Sequence, residues 1–170
     1  GVTYAYASHP MLRQAREMVR AGELGELRQI PVEYFQDWAI DLTDQAGDIP
    51  WRLDPAQTGS SFTVADIGTH AEHLARFISG QQVQEVCADL STFVDGRKLD
   101  DNAHVLMRYG NGARGMLWSS QVAPGNENGL KVRVYGTKAG LEFRQEHPNQ
   151  LWFTPLGGAP QLVTRAGATA

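Results

Sequence analysis

Apolar positions fall at helical spacing in two early stretches of this chain and at strand spacing through most of its remainder. The first helical stretch is Met11, Leu12, Ala15, Met18 and Val19. Ser8 stands ahead of it as a candidate cap, and Pro10 suits a first turn, where a missing N–H has no helical partner. Gly22 ends the run. Val2–Ala7 reads as a short strand or extended segment, and Leu27 to about Trp38 as a long strand rich in Ile, Val, Tyr, Phe and Trp. Asp41 to Ser61 is irregular, dominated by Gly, Pro, Asp and Thr, and a loop of that length is usually functional or mobile. A second helix runs from about Phe62 or Val64 to Ser79, with Ile67, Leu74, Phe77 and Ile78 on its buried face and Gly80 closing it.

The pattern then changes to a meander. Val83–Phe93, Ala103–Tyr109, Ala113–Val122, Leu130–Tyr135 and Leu141–Gln145 read as strands. The turn signals Asp95-Gly96, Asn111-Gly112, Pro124-Gly125 and Lys138-Ala139-Gly140 separate them. Leu151–Thr154 and Gln161–Thr164 suggest a last hairpin. Together these predict an α+β fold: a mostly antiparallel mixed sheet of about six strands with helices on one face. Met116, Leu117 and Trp118 are consecutive, as are Tyr34 and Phe35, so apolar side chains fall on both faces of the sheet. The face away from the helices is therefore expected to serve oligomerisation, as a homodimer or tetramer.

The one Gly-x-Gly-x-x-Gly, at Gly110–Gly115, follows a strand but opens into Met116-Leu117-Trp118-Ser119-Ser120, another strand. A dinucleotide fingerprint must open a helix, so a hairpin explains it. Composition is that of a globular domain, 42% hydrophobic and 20% charged. A net charge of -4 argues against a nucleic-acid or anionic-membrane partner, and no apolar run approaches the roughly 20 residues of a membrane span. The single cysteine, Cys87, excludes an internal disulfide and fits a reducing, cytoplasmic setting. It lies in an apolar run and reads as a buried, inert thiol. Gly1 opens straight into an apolar run and the chain ends in a small polar tail, so residues 1–170 read as one domain of a longer protein.

Ionisable groups gather once, between Trp51 and His73. Asp66, His70 and His73 fall at i, i+4 and i+7, one helical face, and a loop carrying Trp51, Arg52, Asp54, Thr58 and Ser60 leads into it. Three readings remain open. All three side chains could ligate a metal, although Glu72 is at the wrong offset for a His-Glu-x-x-His general base. Asp66 could cap the helix or pair with arginine while His73 is half-buried core. Or Asp66 and His70 form an exposed carboxylate–imidazole pair, able to move a proton near neutral pH. Arg52 could pair with Asp48 or Asp54, and Trp51 could be core, or both could join that pair in a site for a hydroxyl-bearing small molecule.

At Trp51–Gly80, WRLDP, a glycine-serine turn and DIGTHAEHLARFISG together resemble the substrate domain of the Gfo/Idh/MocA oxidoreductases, the glucose–fructose oxidoreductase and inositol dehydrogenase relatives. Asp66, Gly68 and His70 match the family's D-x-G-x-H. The resemblance extends over MLRQAREMVRAGELGELRQI, Gln82–Val86, DDNAHVLMRYGNGARGMLWSSQ and VRVYGTKAGLEFRQ, nearly the whole chain. The turn here reads Gly59-Ser60-Ser61-Phe62, and His73 stands where an aspartate is common. The resemblance implies a parent protein with an N-terminal Rossmann domain, absent here, that binds NAD or NADP and contributes a lysine. It implies hydride transfer from a sugar, polyol or related secondary alcohol, with His70 and Asp66 catalytic and Trp51, Arg52 and His73 at the substrate. The isolated chain would be inactive. The alternatives are an assembly domain with a residual histidine face, or the metal site.

Overall fold

The computed structural model describes residues 1–42 and 50–168. Helix α1 spans Pro10–Arg20, strand β1 Leu27–Phe35, a four-residue helix α2 Pro55–Thr58, and helix α3 Thr69–Ser79. Strands β2 (Val83–Ser91), β3 (Asn102–Tyr109), β4 (Arg114–Ser120), β5 (Gly129–Gly136), β6 (Ala139–Arg144), β7 (Gln150–Pro155) and β8 (Gln161–Thr164) complete the chain. All eight strands form one sheet, in the order β2-β3-β4-β1-β5-β6-β7-β8. It is antiparallel throughout except between β1 and β4, which pair in parallel from Gln29/Arg114 to Phe35/Ser120.

This is the α+β sheet the periodicity predicts, with eight strands rather than about six. The extra strands are the short closing pair β7 and β8, joined around Pro155–Gly158 where the pattern suggests a last hairpin. The Gly110–Gly115 motif is the β3–β4 hairpin, with Gly112 at φ +89°, a backbone that side chains beyond glycine rarely adopt.

Helix α3 packs on β1 and β5, and α1 packs on α3. Leu12, Ile30, Val32, Leu74, Ile78, Val132, Val134, Phe143 and Leu151 fill the layer between them. Each fully buried Leu, Ile or Phe contributes about 1.5–3 kcal/mol relative to exposure. A second, smaller core of Ala39, Leu53, Phe62 and Leu99 sits under the loop entering α3. Beside it, Arg97 and Asp101 form a fully buried ion pair at 3.1 Å, and Arg97 also donates to the carbonyls of Ala39 and Leu42.

Four local expectations give way. Val2–Ala7 forms no strand; Ala5–Ser8 is a 3₁₀ turn, because its tyrosines pack on histidines rather than joining the sheet. Ser8 does not cap α1: its hydroxyl donates to the Ala5 carbonyl, and His9 occupies the cap position. The first strand stops at Phe35, where the chain turns through Asp37–Ile40. Cys87 is exposed, because β2 is the sheet's edge and Cys87 lies opposite Leu106 on the helix-free face. That face also exposes Leu106, Trp118, Tyr135, Trp152 and Leu162 among the ion pairs Glu33–Arg133 and Lys131–Glu142.

Candidate functional site

The chain enters α3 through a π-helical turn, Val64–Gly68, in which the Thr69 N–H reaches back to the Val64 carbonyl. Asp100 anchors its start, its carboxylate accepting from the backbone N–H groups of Phe62 and Val64 at 2.9 and 3.1 Å. Wide turns of this kind are often found at functional sites. Here the turn carries Asp66, and the first turn of α3 carries His70.

The parallel strands β1 and β4 end beside this turn. Beyond the end of β1 lie Gln36 and Trp38, and beyond the end of β4 lies Gln121. Asp66 is held from both sides: Arg52 Nε donates to Oδ1 at 3.2 Å and Gln121 Nε2 to Oδ2 at 2.7 Å. Gln121 Nε2 also reaches Gln36 Oε1, which accepts from Trp38 Nε1 at 3.1 Å. Gln36 Nε2 and the Tyr34 hydroxyl both donate to Asn128 Oδ1, and the Tyr6 hydroxyl bonds that of Tyr34. Burial, then the hydrogen bond and charge of Tyr6, push the Tyr34 phenol far above its ordinary pKa, so it stays a neutral donor.

A cavity of about 320 Å³ opens among Tyr6, Tyr34, Gln36, Trp38, Arg52, Asp66, Ile67 and His70. That volume suits one small molecule. His70 meets Tyr4 and Tyr6 edge-on, with centroids 5.4 and 5.3 Å away. Its Nδ1 is buried with no hydrogen-bond partner among the described residues. Burial lowers the His70 pKa, against the opposing charge of Asp66. The burial favours the neutral imidazole, the form that can accept a proton.

Of the residues singled out in the sequence, the structure brings Arg52, Asp66 and His70 together around one cavity. It leaves Trp51 and His73 outside that lining. Trp51 is 52% exposed rather than core, with the Arg52 guanidinium 4.5 Å from its ring centre. His73 stacks on Tyr4 at 4.1 Å, and neither ring lines the cavity. Burial lowers its pKa, as do Arg76 and His70, against Glu72. Arg52 pairs with Asp66 rather than Asp54, which caps α2 through the Ala56 N–H; Asp48 lies outside the described residues. No group of three or more His, Cys, Asp or Glu among the described residues is placed to hold a metal ion.

Sequence reasoning missed Tyr4, Tyr6, Tyr34, Gln36, Trp38, Gln121 and Asn128. The available signal was positional: Gln36, Trp38 and Gln121 all come just after the carboxyl ends of strands, where open sheets place ligands.

Sheet, π-turn and cavity define an α+β domain with a polar cavity beside the strand ends. The model of the GFO/IDH/MocA C-terminal domain matches residues 12–142, and the chain belongs to that family. An oxidoreductase from Sinorhizobium meliloti is 50% identical, with a TM-score of 0.84 over 99% of this chain and 43% of its own. An inositol dehydrogenase homologue from Azotobacter vinelandii, solved with NADH and myo-inositol, is 36% identical, with a TM-score of 0.88 over 99% of this chain and 43% of its own. The uncharacterised oxidoreductase YfiI of Bacillus subtilis strain 168 is 36% identical over 97% of this chain and 43% of its own length. The chain therefore spans under half the length of these relatives. No helix among the described residues is long and apolar enough to cross a membrane.

Proposed function

We propose that this chain is the substrate-side domain of an NAD(P)-dependent oxidoreductase acting on a sugar, polyol or related secondary alcohol. The observation that carries the reading is the cavity that His70 lines together with Asp66 and Arg52. A cavity lined by one carboxylate, one guanidinium and several amide and hydroxyl groups offers a neutral polyol both acceptors and donors. The family, and a relative solved with NADH and myo-inositol, support the same class.

Oxidising a secondary alcohol to a ketone removes a hydride from carbon and a proton from oxygen. The nicotinamide, carried by a Rossmann domain outside this chain, would accept the hydride. The chain's own part is the proton. His70 Nε2 takes it from the hydroxyl, and the burial that keeps the imidazole neutral makes it available as the base. The resulting imidazolium would be stabilised by the carboxylate of Asp66, whose charge favours the protonated ring. Arg52 and Gln121 consume one lone pair on each Asp66 oxygen and fix the carboxylate, leaving the remaining lone pairs for a substrate hydroxyl. Trp51 and His73 act behind this lining, Trp51 by supporting the Arg52 guanidinium and His73 by backing Tyr4.

The test is NADH formation from a panel of sugars and polyols by the full-length protein and its Asp66→Asn and His70→Ala variants. Loss of turnover in both variants, with the fold intact by circular dichroism, is expected. Full turnover in His70→Ala would refute the assignment.

A second role rests on the helix-free face. Leu106, Trp118, Tyr135, Trp152 and Leu162 expose apolar surface there. The face suits association with a second copy of the chain, giving a homodimer or tetramer.

A further inference from the structure

We propose that Asn128 is a positioning residue for His70: through the Tyr6 hydroxyl it holds the phenol ring against the imidazole. Asn128 stands one residue ahead of β5 and does not line the cavity. This rests on the reading of His70 as the base and deepens it.

The donors and acceptors around Asn128 admit one arrangement. The Trp38 indole N–H can only donate, so Gln36 turns its Oε1 to the indole and its Nε2 toward Asn128. Asn128 must then meet Gln36 with Oδ1, at 3.2 Å, and that same oxygen takes the Tyr34 proton at 2.5 Å. Tyr34 has no second proton, so in its contact with Tyr6 it accepts and Tyr6 donates. Asn128 Oδ1, 3.4 Å from the Tyr6 hydroxyl, is a weaker acceptor for that same proton. Asn128 Nδ2 closes the circuit by donating to the Tyr6 oxygen at 3.3 Å. Tyr6, Tyr34 and Asn128 thus form a ring of hydrogen bonds running one way, in which each bond polarises the next.

His70 depends on that ring. Its buried Nδ1 has no partner among the described residues, so no hydrogen bond there sets the imidazole plane. Tyr4 and Tyr6 set it instead, meeting the imidazole edge-on from 5.4 and 5.3 Å. Tyr4 is braced by stacking on His73, and Tyr6 by its hydroxyl and by a perpendicular contact with the Tyr34 ring at 5.7 Å. Asn128 is itself fixed to the sheet, since the Leu130 N–H donates to its carbonyl at 2.9 Å. The hydrogen-bond ring therefore ties the Ala5–Ser8 turn, and with it one wall of the imidazole, to the start of β5. Freeing the Tyr6 hydroxyl lets that wall shift and water reach the imidazole, which weakens the desolvation now lowering its pKa. The titratable or charged groups about His70 are Asp66 on the π-turn, His73 on α3, Tyr4, Tyr6, Tyr34 of β1 and Arg52 of the entering loop. Asn128 carries no charge, so replacing it removes none from the site.

The experiment follows the imidazole C–H signals of labelled histidine against pH in the full-length protein, and measures kcat and KM of the same samples over a polyol panel with NAD. Asn128→Ala is expected to raise the His70 pKa toward about 6.5. It should also lower kcat about two- to tenfold, the contribution of one neutral hydrogen bond, with KM little changed. Tyr6→Phe keeps the aromatic ring and loses only the hydroxyl; it should give the same rise, and Asn128→Ala should add nothing in that background. An unchanged His70 titration in Asn128→Ala, or shifts that add in the double variant, would overturn the positioning role. The base assignment fails separately, because the titration needs no substrate. Full turnover in His70→Ala, with the shift present in Asn128→Ala, would refute the base and leave the positioning standing.

Discussion

Burial of the His70 imidazole between Tyr4 and Tyr6 has a consequence for stability as well as for catalysis. His70 and His73 both have pKa values lowered chiefly by burial, below the ordinary value of about 6.5. Between the lowered values and about pH 6.5 the unfolded chain binds protons that the folded chain does not, so stability rises with pH across that window and is lost as pH falls through it. Urea unfolding of a His70→Gln, His73→Gln double variant should show a shallower pH slope there than the parent; an equal slope would count against burial as the cause. Asp66, His70 and Arg52 were legible in the sequence because two ionisable groups at helical spacing, with a third in the long loop leading into them, stand out by position alone. Their neighbours were not. Tyr6 and Asn128 hydrogen-bond across 122 positions, and no local pattern reports a contact of that separation.

At the scale of elements, the loop that builds the site is held by buried charge. Arg97 and Asp101 are both fully buried, and Asp101 also accepts from the N–H groups of Phe93 and Val94. Removing the cation by Arg97→Met leaves that carboxylate uncompensated, which should cost about 3–5 kcal/mol in chemical denaturation. A loss below about 1 kcal/mol would show that Asp101 is satisfied by the backbone alone. The junction of α1 to β1 against β5 makes a second prediction. A Cβ at Gly136 would run into the Leu24 carbonyl, so Gly136→Ala should destabilise by roughly 1–3 kcal/mol, read as a lowered Tm. Helices and central strands were legible from periodicity, since their apolar faces are what the core demands. The Ala5–Ser8 turn was not, because its Tyr6 and the preceding Tyr4 pack on His70 rather than joining a sheet. Nor was the exposure of Cys87: an apolar run reads as buried until the topology shows that β2 is the edge.

For the whole molecule, the helix-free face is the feature that a single domain leaves unexplained. Leu106 and Trp118 lie on it on the neighbouring strands β3 and β4, both exposed. If this face joins two copies, a Leu106→Glu, Trp118→Glu variant should fall to the monomer mass by light scattering while keeping its circular dichroism spectrum. An unmodified chain that is already monomeric at high concentration would remove the assembly role. The two-sided apolar pattern announced this face in the sequence, but which residues it presents depended on the register of eight strands.

The proposed chemistry rests above all on His70 as the base facing the substrate hydroxyl. The most direct measurement is the pH profile of kcat/KM for the full-length protein and its His70→Ala variant. The structure predicts an acid limb in the unmodified protein with an apparent pKa below about 6.5, and its disappearance in the variant along with a rate loss of about 10²–10⁴. An identical limb at an undiminished rate in His70→Ala would contradict it.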